Sequence, residues 1–269
     1  MITFTTLPRL PQRIDVSALT PKALAGLSAS AIEALPMWLG TSSVRVADVF
    51  KVSVTADGSD RVVFAGDEPT LEHIGAGMDD GEILVEGPAG CHAGRAMKGG
   101  ALHIMGPAGD YAGAGMSGGM LTVTGSAGDF VGGGLPGQTS GMSGGAIVIG
   151  GNVGERLGDR LRRGVIVAMG DAGDHCASRA VAGTIWVRGR VGTAPAQGMK
   201  RASLLLERMP DALPTFLDCG RHELGMLRLL LPSLDRLAGT DIAKRSSGWA
   251  HRFLGCVGVD GRGEVLVIS

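Results

Sequence analysis

Six histidines, His73, His92, His103, His175, His222 and His251, are the first residues to weigh, because imidazole is the commonest metal ligand and general base. Their spacing contains no H-x-H or H-E-x-x-H, and a metal needs its ligands gathered at one point, so they predict packing and surface roles and no metal site. Carboxylates recur as Asp110, Asp129, Glu155 and Asp174, an arrangement that a calcium roll would share. Such rolls use a nine-residue G-G-x-G-x-D repeat, and this column also holds Cys91 and Thr193, so turn hydrogen bonding is the expected use. G-x-S-x-G occurs around Ser117 and Ser143. A hydrolase nucleophile needs a helix after that turn and His and Asp partners, whereas here an apolar strand-like run follows, which makes both serines corners. Glycine strings such as GAGMSGG lack the Lys-Ser/Thr of a phosphate loop. Arg156, Arg160, Arg162 and Arg163 form the one basic cluster that suits an anionic ligand, since guanidinium grips carboxylate as a fork; a solvated face is the competing reading.

The elements that position these residues come from a repeat. Nineteen-residue units occupy 82–100, 101–119, 146–164, 165–183 and 184–202, and unit 120–145 is the same repeat with seven extra residues around Leu135 to Gly141. Every unit has Gly at its sixth place (Gly87, Gly106, Gly125, Gly151, Gly170, Gly189) and its ninth (Gly90, Gly109, Gly128, Gly154, Gly173, Gly192). These mark corners needing either positive φ or close backbone approach. The second and fourth places are apolar throughout, from Ile83 and Val85 to Ile185 and Val187, as in a short strand with one face inward. Nineteen residues are too few for a propeller blade or helix pair, and a leucine-rich signature is missing. The expectation is mainly β: a right-handed parallel β-helix of nineteen-residue coils, with Met97, Met116, Met142, Leu161, Ala180 and Met199 filling its interior. The segment 132–141 interrupts the period, and its small polar residues suit backbone contact better than catalysis.

The flanks divide the chain into 1–60, a helical and strand-like cap, 61–202, the repeat, and 203–269, a mixed α/β extension. Thr20 before Pro21 reads as a helix start, AIEAL before Pro36 as a second short helix, and VRVADVFKVSV (44–54) as strand. After Ala202 the sequence repeat stops; the leucine-rich run near 222–239 predicts a helix that either meets a partner chain or folds back, and a hairpin is expected to turn at Asp260-Gly261.

Composition narrows the classes further. The 269 residues include 46 Gly and 44 % hydrophobic residues with net charge −1, which excludes disorder and, lacking a triplet period, collagen. With 4 % aromatic residues and no excess charge, nucleic-acid binding is not expected. No apolar run is long enough to span a membrane, and the start MITFT lacks a signal pattern, so a soluble cytoplasmic protein is expected. Cys91, Cys176, Cys219 and Cys256 lie far apart, giving neither disulfide framework nor zinc pattern.

IGAGMDDGEILVEGPAGCHAGRAMKGG, then GDFVGGG, the insertion and GMSGG, preceded by ALTPKALAGLSASAIEAL, resemble the C subunit of the formylmethanofuran dehydrogenase family. The β-helical GxGxG pattern is similar to that of the glutamate synthase large subunit, and the long C-terminal extension resembles the form in the bacterial formyltransferase/hydrolase complex. The resemblance implies a scaffold subunit without a catalytic site of its own. Its partners would be an amidohydrolase (the A subunit) with a metal centre, a B subunit, and a formyltransferase (the D subunit). The complex would move a formyl group from tetrahydromethanopterin to a methanofuran-type carrier and hydrolyse it to formate. The carrier's anionic tail would meet Arg156, Arg160, Arg162 and Arg163. A glutamate-synthase-type amidotransferase domain and an independent binding module are the alternatives.

Overall fold

The computed structural model describes residues 1–7, 12–55, 60–67, 70–259 and 261–268, apart from the side chain of Arg245. The chain is mainly β, built on one thirteen-stranded sheet. From Ile2–Thr6 the strands run Arg61–Ala65, Glu82–Val85, Ala101–Ile104, Ser117–Val123, Gly144–Ile149, Val165–Ala168, Thr184–Val187, Ser203–Leu206 and Glu264–Ile268, each parallel to the next. Antiparallel strands close the two ends, Phe50–Val54 at one and Trp249–Leu254 with Leu217–Glu223 at the other. The ladder therefore outruns the sequence repeat: Ser203 pairs with Thr184 nineteen residues before it, and Glu264 pairs with Ser203 across the whole extension.

A second row of parallel bridges links Ala89, Ala108, Ala127, Val153, Ala172 and Val191, one residue from each unit. Successive units are thus stacked tiers in fixed register. The apolar second and fourth places are buried, as is the whole column Met97, Met116, Met142, Leu161, Ala180 and Met199. The glycine columns resolve to close approach. No positive φ occurs at Gly128; a Cβ there would overlap Asp110 Oδ1 and stand 2.9 Å from Asp110 N in the tier below. Positive φ falls elsewhere, on other glycines such as Gly94, Gly113 and Gly132 and on a column of non-glycine residues that includes His92, Tyr111, Phe130 and Arg156.

At the amino end, Thr20 Oγ1 accepts from Ala23 N and starts α1 (Pro21–Leu24); Ser28 Oγ accepts from Ala31 N and starts α2 (Ala29–Glu33). Leu24 and Ile32 enter the main core, as do Phe4, Phe50 and Phe64, whose ring centroids lie 5.2–6.1 Å apart. The expected strand over 44–54 is broken by a 3-10 turn, Val46–Asp48, closed by Asp48 Oδ2 accepting from Arg45 N.

At the carboxyl end, α3 (Leu227–Ala238) folds back on the sheet rather than standing free. Its Leu227, Leu231 and Leu234 pack with the outward strand residues Val148, Val167, Trp186, Leu205 and Leu266. Gly239 ends the helix in the left-handed conformation, and Asp235 then accepts from Ile242 N and Ala243 N to start α4 (Ile242–Arg245). The two strands Trp249–Leu254 and Glu264–Ile268 pair antiparallel as expected, while Asp260 lies outside the described residues.

Candidate functional site

The inserted residues Leu135 and Gly137 to Gly141 line a cleft of about 620 Å³ together with residues of the neighbouring tiers. The loop makes its own turn, with Gln138 N donating to Leu135 O at 2.9 Å, and Arg160 donates from its guanidinium to the Gln138 carbonyl. Gly141 N returns a bond to Arg160 O at 2.9 Å. The loop is thereby tied down by backbone contacts, as its small residues suggest, and it leans over the neighbouring tiers. Arg95 and Arg162 both line the space, with Thr139, Ser140 and Ser143 adding hydroxyls.

The arginines of the predicted cluster are not equivalent. Arg162 lines the cleft and makes no ion pair among the described residues. Arg160 is committed to the loop and lies 3.9 Å from Asp159 Oδ2. Arg156 sits over the Phe130 ring, 5.8 Å from its centroid, and points to a different column. Arg163 is exposed beside Arg162 and outside the cleft. Beneath the cleft, Asp159 is 3 % exposed and is gripped by Arg179 through two bonds of 2.9 and 2.7 Å, with Ser178 Oγ donating at 2.7 Å.

Arg95 and Arg179 were missed among the candidate residues. Their signal lies in the aligned repeat: Arg95, Asp159 and Ser178 share the fourteenth place, and Arg160 and Arg179 the fifteenth. The same alignment exposes an aromatic column at the eleventh place. His73, His92, Tyr111 and Phe130 stack with centroids 4.7, 5.1 and 4.9 Å apart. Burial, the neighbouring His73 and Arg95 hold His92 below the ordinary histidine value.

The other chemical candidates settle into structure. Asp110 Oδ1 accepts from Asp129 N, Asp129 Oδ1 from Glu155 N and Asp174 Oδ1 from Thr193 N, so the carboxylate column is a ladder of turn hydrogen bonds. The Thr193 bond holds Asp174 below the usual carboxylate range. Ser143 N donates to Met116 O at a corner between strands. All four cysteines are unpaired thiols; burial pushes Cys176 up to about 12. Among the described residues no group of three or more His, Cys, Asp or Glu could hold a metal ion, and no helix is long and apolar enough to cross a membrane.

Stacked parallel tiers, a back-folded helix and one inserted loop over a pair of arginines define a repeat protein with a cationic cleft. Comparison with known proteins makes the class specific. The chain is 46 % identical over 260 residues, 96 % of both chains, to the Fhc C subunit of the formyltransferase/hydrolase complex of Methylorubrum extorquens. It is 42 % identical over 52 residues, 19 % of each chain, to the C subunit of tungsten-containing formylmethanofuran dehydrogenase 2 of Methanocaldococcus jannaschii. A chain in the crystal structure of the Methylorubrum extorquens complex FhcABCD with methylofuran superposes with TM-score 0.91, at 39 % identity and 99 % coverage of both chains. No family model matches. The chain belongs to the C-subunit family of the formyltransferase/hydrolase complex.

Proposed function

We propose that this chain is the scaffold subunit of a cytoplasmic formyltransferase/hydrolase complex, in which a formyl group passes from tetrahydromethanopterin to a methanofuran-type carrier and is hydrolysed to formate. The observation that carries this reading is the end-to-end similarity to a chain of a complex that holds methylofuran, at TM-score 0.91 over 99 % of both chains. The amidohydrolase (the A subunit) with its metal centre, the B subunit and the formyltransferase (the D subunit) are the partners on this reading. The repeat winds as a right-handed parallel β-helix; the second bridge row and the interior methionine column support that geometry. The chain is organised as cap 1–60, repeat 61–202 and extension 203–269, with the parallel ladder running through both boundaries.

On this reading the basic cluster Arg156, Arg160, Arg162 and Arg163 meets the anionic end of the carrier; Arg162, which lines the cleft with Arg95, is the member best placed for it, and Arg160 holds the loop. Charge reversal at Arg160, Arg162 and Arg163 lowers turnover without unfolding the chain; unaltered turnover contradicts the carrier role. The scaffold role itself is tested by removing the gene from its cell: formyl transfer to water in extracts is lost and returns on re-expression, and activity that survives the removal contradicts the reading.

A further inference from the structure

The last corner of each tier, at the seventeenth and eighteenth places of the repeat, carries a charge pattern that the cleft alone does not use. Along the stack its cations are Lys98, then Arg162 and Arg163, then Lys200 and Arg201. The ladder extends the column by one more tier, because Glu264 pairs with Ser203 and Arg262 N donates to Lys200 O, which puts Arg262 above Arg201. All six side chains are exposed. The tiers between carry Ser117, Gly118, Ser143, Gly144, Val181 and Ala182, so the column holds no acid after Asp79 and Asp80.

Three nearby carboxylates have cationic partners, and Asp80 accepts from Gly81 N. Asp79 is held by Lys22, Asp159 by Arg179, and Glu264 by Arg252 at 3.1 Å. None of the six cations makes an ion pair among the described residues. In a chain of net charge −1 the cations from Arg162 to Arg262 concentrate positive charge along one edge, with Lys98 at its far end beside Asp79. With tiers spaced about 4.8 Å apart, Lys98 and Arg262 stand roughly 29 Å apart, the span of about nine residues of extended polypeptide.

We propose that this edge is a docking track for an extended acidic segment of another subunit, lying parallel to the stack. The proposal rests on the reading of the chain as part of a complex and adds the chemistry of the neighbour. Carboxylates rather than a nucleic-acid backbone fit the track: no aromatic ring shares its two places, so it offers no stacking platform, whereas four of the six cations are arginines that take carboxylates as forks.

The test uses the full chain with fluorescein-labelled decaglutamate as probe, alongside an oligothymidylate of matching length. Decaglutamate binding weakens as salt rises, and it weakens at least tenfold in the triple variant Lys200→Gln, Arg201→Gln, Arg262→Gln. The equally neutralised control Arg228→Gln, Arg236→Gln, Lys244→Gln, on and beside α3, keeps the wild-type affinity. Equal affinity in the two triple variants, or oligothymidylate binding as tightly as decaglutamate, overturns the track. In the native complex the track variant loses one of its partners during purification. If every partner is retained with the unaltered chain and also with the track variant, the docking surface is wrong while the scaffold reading stands.

Discussion

Arg179 grips Asp159 from one tier above, donating from Nε to Oδ1 at 2.9 Å and from Nη2 to Oδ2 at 2.7 Å. The carboxylate is almost fully buried, and the adjacent residue Arg160 reaches out to the inserted loop that lines the cleft. Asp159→Ala removes a buried acceptor from Ser178 and from a half-exposed arginine. It costs about 1–3 kcal/mol, discounted from the value for a fully buried pair because Arg179 is open to water. Chemical denaturation measures this, and a variant as stable as wild type contradicts the network.

Gly128 and Gly225 separate close approach from mere glycine content. Gly128→Val drives a side chain into Asp110 and its backbone, and it costs at least about 2 kcal/mol or prevents folding. Gly225→Ala, where a Cβ meets nothing within 4 Å and φ is ordinary, changes stability by no more than about 0.5 kcal/mol. Comparable thermal shifts for the two contradict the tier-contact assignment.

The back-folded helix makes a similar contrast. Leu231→Ala opens a cavity over Trp186 and its neighbours and costs about 2–4 kcal/mol. Leu229→Ala, at a residue 79 % exposed on the opposite side, leaves stability nearly unchanged. Equal effects in denaturant unfolding contradict the packing of α3 on the sheet.

His92 gives the fold a pH dependence. Burial, then His73 and Arg95, hold its pKa down, while Glu72 and Asp110 pull the other way. The neutral ring is favoured in the folded state, so as pH falls through about 6.5 the unfolded chain takes up the proton first. Stability from this group is present above that value, declines as pH falls toward the lower folded pKa, and is level below it. His92→Phe flattens the slope that sets in below about pH 6.5. Nuclear magnetic resonance titration places the His92 midpoint below the ordinary histidine value; a midpoint at or above it contradicts the stacking environment.

The tiers are legible in the sequence because a stacked fold repeats its constraints: Gly128 answers Gly109, and Met116 answers Met97, at fixed intervals. What stays hidden are the non-repeating contacts. Trp186 in an outward strand place stands out as an exception, and only α3, far along the chain, explains it by covering that face. Strand Ser203–Leu206 lacks the glycines of the earlier units, so the sequence repeat ends while the backbone ladder continues to Glu264–Ile268. At the cleft, Arg162 is visible as part of a basic run, whereas Arg95 lies in a distant tier and only the structure puts both in one lining. The glycine columns leave positive φ and close approach undecided, since both favour glycine. Close approach governs Gly128 and its counterparts, and positive φ falls on other places of the repeat, on glycines such as Gly113 and on non-glycine residues such as Tyr111.

The central claim, that the chain works as a scaffold among enzyme subunits, is met most directly by affinity purification of the tagged chain from its native cell, with mass spectrometry of what accompanies it. The account predicts near-stoichiometric amidohydrolase and formyltransferase subunits in one assembly. A glutaminase-type partner in their place, or a chain that emerges alone, contradicts it.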